Sequence, residues 1–267
     1  MMNLGLMDPA FLGGLTSYDP DAAVYIAAVE SADGQVLETG VKTAIDSFVR
    51  GCKTDGTWNA IKSSCILAGA RTLTGALVPL VGTAPTNINN NFVSGDYNRK
   101  TGLKGSSTAG SGAKRLNTNR LANADGLNDY HLSVHQTLVD SGNGYPMLIG
   151  GEYATYGIGT RSADTKEFFF RPRTTVTNNI GSTVTGFVGM SRVTSSSYTA
   201  RSNGSSQTIN NATTSTPAVN VHVFCDSNNT MNYNGRLFFY SIGASLNLAS
   251  LDARVTALVN ALAVAIP

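Results

Sequence analysis

The chain is 267 residues long and 42% hydrophobic, enough to bury the core of one large domain with a small companion. Only 13% of residues are charged and the formal net charge is +2, so there is no basic footprint of the kind that engages nucleic acid. The surface must be covered largely by Ser, Thr, Asn and Gly, a neutral coat common on extracellular and virion β-proteins.

Residues 1–18 alternate glycine with large apolar side chains, Leu4, Leu6, Met7, Phe11, Leu12 and Leu15, without a regular period. On a solitary monomer these would stand in water, so they read as an arm that docks on a partner; a tail folded onto its own core is the other reading. The N-terminus lacks the basic n-region and long apolar stretch of a secretory signal, and no segment reads as long enough to span a bilayer. Asp19-Pro20 is a helix start, with an N-cap followed by proline at the first helical position. It predicts a helix over 21–31 with Val24, Tyr25, Ala28 and Val29 on one side. After Asp33-Gly34, Val41, Ile45, Phe48, Val49 and Cys52 recur at helical spacing and predict a second helix over 35–53. A short third helix follows Asp55-Gly56, with Trp58 and Ile61 inward. Helices this small form no independent core and must lean on each other and on a sheet.

From Ser64 the period changes. Short apolar runs at 65–70 and 76–81 lead into strand and turn signals at 91–93, 131–139, 145–149, 167–171, 183–190 and 219–225. Hairpin dipeptides lie between or beside them at Asp125-Gly126, Asn143-Gly144, Asn203-Gly204 and Asn234-Gly235. Many short strands at such spacing predict a β-sandwich or jelly roll. The tract 174–217 holds two charges, Arg192 and Arg201, and is thick with Ser, Thr and Asn; Val176, Ile180, Val184, Phe187, Val188 and Val193 favour strands there. Residues 105–112 are a loop by composition.

The last stretch organises the rest. Strict alternation over 236–243 places Leu237 and Phe239 on one face and Phe238, Tyr240 and Ile242 on the other, so this strand needs cover on both sides. Asn247 then caps a helix whose Leu248, Leu251, Val255, Leu258, Val259, Leu262 and Ile266 form one stripe. The fold class expected is therefore mainly β, a jelly-roll sandwich over 64–267 clamped by a C-terminal helix, preceded by an arm and a small helical segment over 1–63.

Chemical constellations are thin. Cys52, Cys65 and Cys225 lack CxxC spacing and adjacent histidines and read as buried free thiols, with a Cys52–Cys65 bridge left open. His131 and His135 share one strand face, but Leu-Ser-Val between them supplies no metalloprotease glutamate. His222 reads as a packed or rim histidine. Of the glutamates Glu30, Glu38, Glu152 and Glu167, two sit in the helical segment. Asp164 and Glu167 fall on opposite strand faces, so no carboxylate pair suits glycoside hydrolysis. No cofactor, metal or catalytic residue is assigned. What remains is binding: Tyr145, Tyr153, Tyr156, Tyr198 and Tyr233 lie in or beside Gly/Asn-rich segments, where rings can stack on sugars or anchor a protein partner.

Four segments taken together, 21–30 (DAAVYIAAVE), 58–70 (WNAIKSSCILAGA), 92–103 (FVSGDYNRKTGL) and 236–243 (RLFFYSIG) with 248–255, resemble tailed-phage virion proteins with a concanavalin A-like, laminin-G-type jelly roll. The similarity covers most of the length and is weakest before Ser17 and in the middle third. It implies a non-enzymatic structural protein on the virion surface, made in the host cytoplasm. The tail or its fibres is the first location and a host-surface glycan the expected ligand. It also implies other virion proteins as partners, and homo-oligomerisation, with a trimer among the forms it allows. A capsid decoration protein is the alternative, and a polysaccharide-cleaving jelly roll the more distant one; the acidic triad of such enzymes has no counterpart here.

Overall fold

The computed structural model describes residues 17–108, 112–140, 144–152, 155–161, 167–215 and 217–267. The helices are α1 (Pro20–Asp33), α2 (Thr39–Thr54), the single turn α3 (Leu73–Ala76) and α4 (Leu248–Ala265). The first strands are β1 (Ile61–Ile66), β2 (Thr86–Asn87), β3 (Tyr97–Asn98), β4 (Gly102–Lys104), β5 (Leu116–Leu121), β6 (Tyr130–Leu138), β7 (Met147–Gly150) and β8 (Tyr156–Arg161). The remainder are β9 (Glu167–Pro172), β10 (Asn178–Ser182), β11 (Gly186–Arg192), β12 (Ser197–Ser202), β13 (Ser205–Asn210), β14 (Asn220–Val223) and β15 (Arg236–Gly243).

The strands form two antiparallel sheets. Sheet A runs β13-β12-β11-β6-β15-β4-β3, with β1 also on β15; sheet B runs β10-β9-β8-β7-β14-β5-β2. The fold is thus a β-sandwich, and β15 is the central strand of sheet A, flanked by β6 on one side and by β4 and β1 on the other. Between the sheets lies a core of Leu132, Val134, Ile158, Phe168, Phe170, Val221, Tyr240 and Ile242, among others. A second core covers the other face of sheet A, where α1, α2 and α4 pack with Phe187, Phe238 and Phe239. The layers are therefore helices, sheet A, sheet B.

Asp19 caps α1 as its sequence predicts, its side chain accepting from the Asp21 N–H, and Gly34 closes the helix in the left-handed region. The buried stripe of α1 is Ala22, Tyr25, Ile26 and Val29; Val24, expected inside, is 72% exposed. Asn247 caps α4 by accepting from the Ala249 and Ser250 N–H groups, and Leu248, Leu251, Val255, Leu258 and Leu262 face sheet A. With 18 residues at mean hydropathy 1.4, α4 reaches the length and composition of a membrane span. That corrects the expectation that no stretch does. Its apolar stripe is buried against α2 and sheet A.

Three further expectations are corrected. A β-bulge between Leu237 and Phe239 breaks strict alternation, so Phe238 joins Phe239 on the helical side while Leu237 and Tyr240 point into the sandwich. A boundary at residue 63 would cut β1, whose Ser64 and Cys65 pair with Ser241 and Tyr240; the N-terminal helices share a core with α4 and are part of the sandwich body. Asp125-Gly126 joins β5 to β6, which lie in different sheets, and is no hairpin. Asn203-Gly204 does close a two-residue hairpin between β12 and β13, with φ of 53° and 72°. Asn143 lies outside the described residues. All three cysteines are free and buried, and burial pushes each thiol up to about 12.

Candidate binding surface

Of the tyrosines singled out for binding, the structure leaves Tyr145 at the surface, 39% exposed. Tyr156, Tyr198 and Tyr233 are core residues, which corrects their assignment as ligand contacts. Tyr156 packs edge-on against Tyr130 with ring centroids 5.5 Å apart, and the fully buried Arg173 guanidinium lies 3.9 Å from the Tyr130 centroid. Tyr198 lies between Phe170 and the equally buried Arg192. Tyr233 donates its hydroxyl to Gln136 Oε1 at 2.5 Å, and the Leu138 carbonyl lies 3.0 Å from it. All three rings fill the core, and the Tyr233 hydroxyl is held by partners within the fold. Tyr153 lies outside the described residues, as do Leu4, Leu6, Met7, Phe11, Leu12 and Leu15.

Tyr145 stands on the outer side of sheet B, and the local sequence explains why. In Phe168-Phe169-Phe170 alternation sends the flanking rings into the sandwich, which forces Phe169 to the opposite face. There Phe169 finds room because the neighbouring position is Gly159; a Cβ at that glycine would land on the Phe169 ring. Gly150 and Gly157 likewise admit the Met147 thioether, whose methyl occupies the space that their side chains would fill. Met147 and Phe169 are thereby buried on a glycine floor. Tyr145 stacks edge-on over Phe169 at 6.4 Å between centroids. The Arg161 guanidinium lies 5.5 Å from the Tyr145 ring, and that of Arg171 lies 5.5 Å from Phe169. Arg171 is held by its Nε, which donates to Thr177 Oγ1 at 3.1 Å.

The result is an exposed ring, supported from below and flanked by a guanidinium, on a rigid sheet. Such a surface can stack on a sugar ring while offering fixed donors to hydroxyl or acidic groups. Sequence reasoning found Tyr145 but missed Phe169, Met147, Arg161 and Arg171. The three-phenylalanine run was the available signal, since a strand must present its middle ring to the other face.

Several of the described titratable groups elsewhere hold the fold. His131 bridges the Ala244 carbonyl (Nδ1, 2.6 Å) and Ser241 Oγ (Nε2, 2.7 Å), and burial lowers it to about 4. Burial also lowers His135, packed on Phe238, and His222 to about 4, so all three rings are neutral at pH 7. Glu38 takes a two-pronged hydrogen bond from Arg99 at 3.0 and 2.7 Å, which lowers it to about 2. Burial works against the Asp226 carboxylate, yet hydrogen bonds from the Thr230 and Met231 N–H groups hold it below its ordinary value. Among the described residues no group of three or more His, Cys, Asp or Glu is placed to hold a metal ion. Two largely apolar grooves mark the helical layer. One of about 730 Å³ between α2 and α4 is lined by Gly40, Ala44, Ala257, Ala261 and Val264; one of about 510 Å³ beside α1 is lined by Val24, Trp58 and Pro79.

Fold and surface together define a two-sheet β-sandwich with a helical layer on one sheet and an aromatic, guanidinium-flanked patch on the other. No family model and no curated protein matches the chain. Among solved structures, the botulinum neurotoxin serotype D binding domain is similar at 12% identity and TM-score 0.47, over 74% of this chain and 52% of that one. A mutant Trypanosoma rangeli sialidase displaying trans-sialidase activity aligns at 10% identity and TM-score 0.48, over 83% and 39%. Domain 4 of AbnA, a GH43 extracellular arabinanase from Geobacillus stearothermophilus, in complex with arabinotriose, aligns at 10% and TM-score 0.37, over 64% and 97%. The alignments with the first two span about half or less of those chains' length.

Proposed function

We propose that the protein is a non-enzymatic structural component of a bacteriophage particle, displayed on its surface in association with the tail or its fibres. It contacts a host-surface glycan through the Tyr145 face of sheet B. The observation that carries this reading is Tyr145 itself, 39% exposed while fixed from beneath by Phe169 and from the side by Arg161. A ring held in this way loses little freedom on binding, which favours stacking on a ligand. The sequence resemblance of 21–30, 58–70, 92–103 and 236–243 with 248–255 supports the virion assignment. The apolar residues Leu4 to Leu15 supply the attachment to other virion proteins.

Two measurements test it. Immunogold labelling of purified particles should mark the tail; label spread evenly over the capsid would favour the decoration protein. Attachment of the full chain to host envelope preparations should saturate, and Tyr145→Ala should weaken it about tenfold, the effect of losing one stacked anchor. Because the ring also packs on Phe169, the melting temperature of that variant should fall by only about 2–4 °C, so the chain stays folded in the binding assay.

A further inference from the structure

A sheet edge exposes unpaired backbone donors and acceptors, and folded proteins blunt such edges by shortness, bulges, charge or cover. Here most described edges are managed in these ways. The edges β3 and β2 are two residues long. The edge β10 is bulged between Ile180 and Ser182, with Gly181 at φ 61°. The outer side of β1 is covered by the 78–82 segment, where Ser64 N–H donates to the Val81 carbonyl and Leu80 N–H to the Ser64 carbonyl. The edge of sheet A at β13 is different. It runs six residues in unbroken register with β12, is exposed along most of its length, and reads Ser-Ser-Gln-Thr-Ile-Asn, without a charge, proline or bulge.

The turn fixes which backbone groups face outward. Ser202 and Ser205 flank the two-residue Asn203-Gly204 turn, so the ladder bonds to β12 fall on Ser205, Gln207 and Ile209. The N–H and C=O groups of Ser206, Thr208 and Asn210 therefore point away from the sheet, and no hydrogen bond joins them to another described backbone group. Arg201 on β12, opposite Ser206, pairs with Asp252 at 2.8 Å, while its Nη1 also donates to Ser206 Oγ.

We propose that β13 is the interface through which two copies of this chain pair, antiparallel about a two-fold axis at Thr208, joining their A sheets into one. The occupant is a second copy because the edge is self-complementary. Placing Thr208 opposite Thr208 sets Ser206 of each copy against the partner's Asn210, so the outward groups of all three residues are satisfied together. Neutral side chains meet across the axis without repulsion. A foreign strand would need side-chain pockets to be selected, and this flat polar edge supplies none. The pairing is closed and isologous, so it makes dimers and not the three-fold assembly considered from sequence.

Light scattering coupled to size exclusion on the full chain tests this directly, over about 1–100 μM because dimerisation follows mass action. At the upper end the mass should be twice the 27.9 kDa of one chain. Thr208→Pro removes an N–H that faces away from β12, a position where an edge strand accepts proline, and should give a monomer with an unchanged circular dichroism spectrum. Thr208→Lys, which sets two ammonium groups at the axis without touching the backbone, should do the same. Under mild oxidation Thr208→Cys should yield a disulfide-linked dimer, since facing residues stand about 5.5 Å apart between Cα atoms. Val93→Cys, at a 55% exposed position just before β3 at the opposite edge of sheet A, should not. A monomeric wild-type chain across the range, a dimer that survives both Pro and Lys, or equal cross-linking of the two cysteine variants would each overturn the proposal.

Discussion

Phe169 and Gly159 show how little side-chain volume decides the surface face of sheet B. Besides the Phe169 ring, a methyl at Gly159 would meet the Pro146 carbonyl, which is backbone and yields less readily. Gly159→Ala is therefore expected to destabilise by about 1–3 kcal/mol, the usual range for overpacking, and urea denaturation measures it. At Gly157 a methyl would meet the flexible Met147 methyl and, at 2.9 Å against 2.6 Å for Pro146, the Ile149 carbonyl, so Gly157→Ala should cost somewhat less. Arg192 is the opposite case. Its two Nη atoms serve the carbonyls of Thr194, Ser195, Pro172 and Asn211 in a site with no exposure. Arg192→Met keeps the length but strands those carbonyls, and should cost about 3 kcal/mol or more in the same assay. Sequence reading recognised Arg192 as one of two charges in a neutral tract but not its place. Nothing local distinguishes an arginine that binds carbonyls inside a sandwich from one on the surface.

Among the elements, α4 was legible in its cap, its stripe and its docking, because seven apolar positions at helical spacing after an Asn N-cap admit one reading. Truncating Leu262 on this stripe, Leu262→Ala, should cost about 2–5 kcal/mol by calorimetry. The strand before α4 was legible in its centrality and misread in its facing. A bulge shifts every side chain beyond it, and its position depends on the partner strand β6, which the local pattern does not encode. The same strand pair carries a pH dependence. His131 and His135 stay neutral in the folded state down to about pH 4, whereas the unfolded chain protonates them near their ordinary value of 6.5. Between those limits the unfolded state binds more protons, so stability falls as pH drops from 6.5 to 4. The loss is on the order of 3 kcal/mol for each ring. His131→Gln should flatten part of that slope in melts between pH 7 and 4. An unchanged slope in both His131→Gln and His135→Gln would show that these rings do not titrate with unfolding.

For the whole molecule, composition and strand spacing were enough to predict a β-sandwich closed by a helix, and the observed layers agree. The N-terminal helices lean on the sheet as expected, sharing Phe238 and Phe239 with α4, while the limit drawn at residue 63 falls inside β1, which begins at Ile61. Which strands join which sheet is a long-range matter, and sequence periodicity reports only local faces. The Tyr145 surface was only partly visible for the same reason. Its ring was named, but its floor is assembled from β7, β8 and β9 around glycines whose meaning emerges only once they are adjacent. The most direct measurement of the proposed role, display and binding without cleavage, is one titration of host envelope polysaccharide with the full chain, following bound protein and released reducing ends together. Saturable attachment, weakened about tenfold by Tyr145→Ala, with reducing ends at the level of the protein-free control, is the predicted result. Reducing ends that accumulate with time and vanish in Glu167→Gln, or attachment indifferent to Tyr145, would contradict it.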